Sequence, residues 1–213
     1  KERLTERKGV IPARDWNSLY QQNPIPDDGD YFKKDWFAEY DEPPPNLNIY
    51  AASDYAVTDG DGDYTEHGVI GIDQNMNIYV LDWWYGQTTS DVWIDAKCDL
   101  IIKHSPNVWF GESGVIRRSI EPFLMKRLQE RHAYCNIEWL SSVSDKTSRA
   151  RAIQARASMG KVFFPRRAEW KDHVMTQLLR FPAGKHDDAV DVLSLFGRGL
   201  EYINAATKPK ESR

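Results

Sequence analysis

Residues 48–85, NIYAASDYAVTDGDGDYTEHGVIGIDQNMNIYVLDWWY, decide the fold. They contain three short runs rich in Ile, Val, Tyr and Trp, at 48–57, 67–72 and 77–85, separated by clusters of Gly, Asp and Asn. β-Branched and aromatic residues suit a pleated, half-buried surface, and the clusters supply turns. The stretch therefore predicts three antiparallel strands joined by turns at about 58–65 and 73–77. DGDGDY at 59–64 copies the start of a calcium loop, but it lacks the glutamate at the twelfth loop position and the flanking helices, so it is read as a turn.

Downstream the pattern alternates. TSDVWIDAKCDLIIKH (89–104) sets Val92, Ala96, Leu100 and Ile101 at helical spacing behind a Thr89 or Ser90 cap. PNVWFGE (106–112) reads as a buried strand, RRSIEPFLMKRLQERH (117–132) as a helix and CNIEWL (135–140) as a further strand. DKTSRARAIQARASM (145–159) is a basic helix closed by Gly160, KVFFP (161–165) a short extended piece, and EWKDHVMTQLLRF (169–181) a helix. HDDAVDVLSLFGRGLEYI (186–203) ends the pattern with a helix that buries Ala189, Val192, Leu193 and Phe196. Three strands followed by helix, strand, helix, strand predict an α/β mixed sheet with helices on both faces, the last helix packing back across the sheet. Upstream, the proline run Pro43, Pro44, Pro45 marks a boundary. Residues 1–45 are expected to be an arm or linker whose Trp16, Tyr20, Phe32, Trp36 and Phe37 pack on a neighbouring surface; 46–205 are expected to be the domain and 206–213 a disordered tail.

The chain has 213 residues, of which 41% are hydrophobic and 28% charged, ordinary values for a domain with a proper core. No apolar run approaches the roughly 20 residues that cross a bilayer, and KERLTERKGV is not a signal peptide. Cys98 and Cys135 are too few for a disulfide scaffold and lack zinc spacing. The expected setting is cytoplasmic, with no membrane partner. The net charge of -4 hides an asymmetry: residues 1–100 carry 20 Asp+Glu against 8 Lys+Arg, and 101–213 carry 12 against 20. Between Arg117 and Lys185 there are 15 basic and 6 acidic residues, a stripe suited either to phosphate contacts or to solvation.

Three places stand out chemically. Asp54 lies among apolar residues in a strand, where a carboxylate is costly unless it is paired or holds a cation. Glu112 ends the next buried strand, where open sheets place ligands. If those strands neighbour one another, their backbones lie about 4.8 Å apart and the carboxylates can share an ion. His186, Asp187, Asp188 and Asp191 open the last helix, with Asp188 and Asp191 on one side of it. Asp187 could be an N-cap, but three acids in five positions exceed what capping needs. Hard oxygen donors of this kind suit Mg²⁺ or Mn²⁺, and carboxylates holding two ions about 3.5–4 Å apart are the parts of a phosphodiester-cleaving site. Lys146, Arg149, Arg151 and Arg156 on the basic helix are candidate contacts to DNA phosphates, and Arg166, Arg167 and Lys171 follow them. His67, His104, His132 and His173 are scattered and pair with no nucleophile, and Trp83, Trp84, Trp93 and Trp109 are read as core.

At these residues the sequence resembles the nuclease domain of the large terminase subunit of tailed bacteriophages, which has the RNase H-like (RuvC-like) fold. The resemblance covers roughly 16–204. It rests on YQQNP (20–24) with GDYFKKDW (29–36), AASDYA (51–56), FGESG (110–114), DKTSRARAIQARASMGKVFFP (145–165) and KHDDAVDVLSL (185–195). It implies a sheet in the order 3-2-1-4-5, with the Asp54 and Glu112 strands side by side. It also implies catalytic Asp54, Glu112 and Asp188 binding two Mg²⁺ or Mn²⁺ with Asp191 assisting, while His186 and Asp187 support the site. The implied activity is endonucleolytic cutting of concatemeric viral DNA during packaging. The implied partners are double-stranded DNA, an ATPase domain of the same full-length chain, the small terminase subunit and the portal. No GxxxxGK[ST] sequence occurs, so the chain is not itself the motor. A Holliday-junction resolvase and a non-cleaving DNA-binding or portal-docking module are the alternatives.

Overall fold

The computed structural model describes residues 31–56, 62, 64–141, 145–200, 202–204 and 206. A 3-10 turn, Lys34–Trp36, leads into β1 (Phe37–Tyr40), followed by β2 (Asn48–Asp54), β3 (Thr65–Ile72), β4 (Ile78–Gly86) and α1 (Ser90–His104). Next come β5 (Val108–Glu112), α2 (Val115–Glu130), β6 (Asn136–Leu140), α3 (Lys146–Ser158), β7 (Val162–Pro165), α4 (Lys171–Arg180) and α5 (Asp188–Arg198).

The seven strands form one sheet in the order β1-β7-β4-β3-β2-β5-β6. Five consecutive strands, β4-β3-β2-β5-β6, running out to the β6 edge, are the expected 3-2-1-4-5. The 48–85 stretch supplies the antiparallel meander, and each crossover through a helix adds a parallel strand, β5 beside β2 and β6 beside β5. This is the RNase H-like arrangement. The turn at 73–77 is built by Asp73, whose carboxylate accepts from the Asn75 and Asn77 amides at 2.8 Å. The other turn, including most of DGDGDY, lies outside the described residues.

Strand alternation divides the core in two. Tyr50, Ala52, Ile70, Phe110 and Phe164 face a layer made by α3, α4 and α5, while Ala51, Val69 and Trp109 face α1 and α2. Asp54, Glu66 and Glu112 share the parity of the first set, so the sheet turns all three toward α4 and α5. Helix α5 buries the expected Ala189, Val192, Leu193 and Phe196 across β2, β3 and β5. It comes close because β3 has Gly68 beneath it, where an added Cβ would stand 2.9 Å from Val192 and 2.5 Å from Trp83.

The structure departs from expectation at the 45/46 boundary, at residue 206 and on α1. KVFFP is extended as expected and forms the strand β7, parallel to both β4 and β1. Consequently the boundary expected at 45/46 falls inside the sheet: β1 comes from the expected arm, and Phe32 is fully buried against Phe37 and Phe181. Trp16 and Tyr20 lie outside the described residues, as do 207–213. Ala206, expected to start a tail, is buried and donates its amide to Asp73 O. Helix α1 buries the expected Leu100 and Ile101 but not Val92, which is 44% exposed; Trp93, Ile94, Lys97 and Cys98 complete the buried stripe.

Candidate active site

Parallel pairing of β2 and β5 sets Ser53 opposite Gly111, so Asp54 and Glu112 occupy the next register position at the carboxyl ends of both strands. Antiparallel pairing on the other side sets Asp54 opposite Glu66. The first turn of α5 brings Asp188 and Asp191 over the same place. Five carboxyl groups from four elements therefore converge, and Asp54 registers the crowding. Burial pushes its carboxyl well above the usual range, and the charges of Asp191, Asp188, Glu66 and Glu112 push it further. Burial likewise lifts Asp191 to about 6, against the pull of Arg149.

The cluster is partly neutralised by cationic side chains. Arg149 Nη2 lies 2.9 Å from Asp191 Oδ2, and its Nη1 lies 4.0 Å from Glu112 Oε2. Arg198 approaches Glu112 Oε1 at 3.4 Å and also donates to Ser141 O. Lys146 Nζ lies 2.7 Å from Asp187 Oδ2. Asp187 makes no capping bond to the α5 backbone, so its acid is explained by Lys146 rather than by capping. His186 Nδ1 stands 3.8 Å from Asp188 Oδ2.

The donor set fits a hard divalent cation. Asp191 Oδ1 is buried with no hydrogen-bond partner, and among the described residues Asp54 makes no hydrogen bond or ion pair. As the side chains stand, no three His, Cys, Asp or Glu among the described residues are close enough to hold one ion. In this arrangement Arg149 and Arg198 pair with Glu112, and Arg149 with Asp191.

Of the expected DNA contacts, Lys146 and Arg149 are thus committed to acids of the cluster. Arg156 donates to Met76 O, and Arg151 is exposed. Arg166 and Lys171 pair with Glu39 of β1, and Arg166 also with Asp41. The basic stripe is in large part internal neutralisation.

Sequence reasoning missed Glu66, Gln177 and Arg198, and it did not foresee the partners of His173 and His67, neither of which is a nucleophile. Glu66 is fully buried and accepts from Trp83 Nε1 at 2.6 Å, Gln177 Nε2 at 2.6 Å and His173 Nε2 at 2.8 Å. Gln177 Oε1 in turn accepts from the Ala189 amide at 2.9 Å, tying α4 to the first turn of α5. The signal was available: a hairpin folded about residue 60 places residue 66 opposite residue 54. On the reverse face, His67 Nδ1 lies 2.8 Å from Ser53 Oγ, which accepts from Trp109 Nε1 at 2.7 Å. This pair is fully buried, and burial lowers the imidazole to about 3, so it is a neutral core contact and not a nucleophile.

No family model matches the sequence, and no curated protein matches it. Among solved structures it is similar to the large terminase nuclease from the thermophilic phage G20c with bound zinc, at 16% identity and a TM-score of 0.55, covering 76% of this chain and 92% of that one. The same nuclease is also known with bound magnesium and with bound cobalt. The nuclease domain of the large terminase subunit of bacterial virus Sf6 is similar at 9% identity and a TM-score of 0.56, over 78% of this chain and 97% of that one. A large terminase from a thermophilic bacteriophage, in complex with ADP, is similar at 12% identity and a TM-score of 0.57; 95% of this chain matches 52% of that one. At these identities the likeness shows a shared fold.

Proposed function

We propose that this chain is a divalent-metal-dependent DNA endonuclease that cuts concatemeric viral DNA during genome packaging. The observation that carries the reading is the convergence of Asp54, Glu112, Asp188 and Asp191 over the carboxyl ends of two parallel strands. Carboxylates so crowded raise each other's proton affinity unless cations neutralise them. The shared fold with large terminase nucleases, one of them solved with zinc, magnesium and cobalt, supports the reading.

Asp54, Glu112 and Asp188 would hold two Mg²⁺ or Mn²⁺, with Asp191 assisting. Ions bound there would supply a readied water nucleophile on one side of the phosphodiester and charge stabilisation of the leaving oxygen on the other. The chain's own part is positional. Gly68 lets α5 sit close on β3, and Gln177 fixes the first turn of α5 against Glu66. Lys146 anchors Asp187, and Arg149 and Arg198 hold Glu112 and Asp191 until a stronger charge draws them in. The proposed partners are double-stranded DNA, an ATPase domain in the same full-length chain, the small terminase subunit and the portal, within the cytoplasm of the bacterial host. Similarity over about half of a large terminase in complex with ADP supports the ATPase part.

Supercoiled plasmid incubated with the protein in Mg²⁺, Mn²⁺ or EDTA tests the proposal. Nicked and linear products in metal but not in EDTA are expected. A folded protein that binds duplex and cuts it under neither metal would favour the non-cleaving module. Preferential cutting of a four-way junction over linear duplex would favour the resolvase.

A further inference from the structure

Beside the carboxylates, between α4 and the segment that leads into α5, lies an open cleft of ≈ 340 Å³. Its walls include Tyr64, His173, Gln177, Arg180, Lys185 and His186. The cleft and the cluster share a wall. His173 and Gln177 both donate to Glu66, the acid opposite Asp54, and His186 stands 3.8 Å from Asp188. The rings are packed in place, with Tyr64 edge-on to His173 at 5.2 Å and to His186 at 5.3 Å, and His173 stacked on Tyr85 at 3.7 Å.

The charges of the two regions are opposite. The cluster is acidic, whereas the cleft is lined by Lys185, Arg180 and two imidazoles, with Asp172 the one carboxylate among its described lining residues. Lys146 and Arg149, two of the expected DNA contacts, are paired with Asp187 and Asp191. Lys185 is exposed and makes no ion pair or hydrogen bond among the described residues. A polyanion brought to a carboxylate cluster is repelled except where cations offset that repulsion, and the cleft is where this chain provides them.

We propose that the cleft is a phosphate subsite for the DNA strand being cut. Lys185 holds a phosphodiester of that strand next to the one lying over Asp54 and Asp188. The inference deepens the nuclease reading and rests on it. A contact of this kind fixes the register of the strand without reading sequence, and it is salt-sensitive because it releases a counterion.

The test is equilibrium binding of a fluorescein-labelled duplex to the full chain by anisotropy, in EDTA so that nothing is cut, across a salt series. The variants are Lys185→Ala, Lys185→Glu and, on the far face of the molecule, Lys103→Ala, each shown folded by circular dichroism. Lys185→Ala is expected to weaken binding about 3- to 10-fold at low salt and to reduce the slope of log K against log[salt] by about 0.9, as loss of one phosphate contact requires. Lys185→Glu should weaken it further, and Lys103→Ala should leave it unchanged. Wild-type affinity and slope in Lys185→Glu would overturn the inference, while metal-dependent plasmid cutting by the same preparation would leave the nuclease reading standing. Absence of duplex binding by the wild-type chain would overturn the inference, and the nuclease reading would stand or fall on metal-dependent cutting by that preparation.

Discussion

Arg149 and Lys97 are the two side chains whose placement most directly exposes the energetics of this molecule. Arg149 is 13% exposed and neutralises Asp191, itself 21% exposed, from the neighbouring helix. Removing one partner of a largely buried pair leaves the other charge uncompensated, at a cost of about 3 kcal/mol. Arg149→Ala should therefore lower metal-free stability by that order in urea denaturation. Mn²⁺ should restore part of it, because the freed acids gain a different cation. No loss, or no restoration by Mn²⁺, would argue against this role. Lys97 is fully buried, donates to Tyr55 Oη at 2.8 Å and sits 4.5 Å above the Trp109 ring. Burial depresses its amine to about 7 from the ordinary 10.5. A group depressed in this way costs stability below its unfolded value, and the cost fades as pH rises from about 7 toward 10.5. Lys97→Met keeps the volume and discards the charge, and Tyr55 retains Ser53 as a partner. Its melting temperature should exceed the wild type's at pH 7 by a margin that shrinks toward pH 10. A margin independent of pH would contradict this account of Lys97.

Elements carry the geometry that the acids need, and the sequence is uneven in announcing them. The meander of β2, β3 and β4 is legible from its β-branched and aromatic runs between turn clusters, and the apolar face of α5 from residues recurring at helical spacing. Asp54 and the α5 acids are legible because charge breaks those patterns where burial demands it. Glu66 escaped because its partners, Trp83, His173 and Gln177, come from three other places in the chain, and only the cross-strand register links it to Asp54. The face of α1 was misjudged in part for a related reason: its buried stripe includes a lysine, which pattern reading assigns to solvent. β1 and β7 are four-residue strands, β1 at the sheet edge and β7 beside it, whose pairing is entirely tertiary. Phe32, locked between Phe37 and Phe181, shows how firmly the segment before β1 is held. Phe32→Ala should cost about 3–5 kcal/mol by chemical denaturation, the loss typical of a buried Phe truncated to Ala. A cost below 1 kcal/mol would return residues 31–45 to the status of a loosely attached arm.

At the scale of the whole molecule, charge and fold together divide the work. The acidic amino-terminal half and the basic segment after Arg117 meet across the sheet. Much of the asymmetry cancels in pairs such as Arg166 with Glu39 and Arg127 with Asp95. Negative charge stays concentrated where β2, β3, β5 and α5 meet, with a cationic cleft at its edge. On the proposed reading, that arrangement, unfavourable in the isolated chain, is relieved when divalent cations and a phosphodiester occupy it together. The most direct test is plasmid cleavage in Mn²⁺ by the wild type beside Asp54→Asn, which keeps the shape of the central side chain and removes its charge. The expected result is nicking and linearisation by the wild type and none by Asp54→Asn, with the variant folded and melting no lower without metal because a repulsive charge has gone. Cutting by Asp54→Asn at the wild-type rate would contradict the assignment of this carboxylate cluster as the site of cleavage.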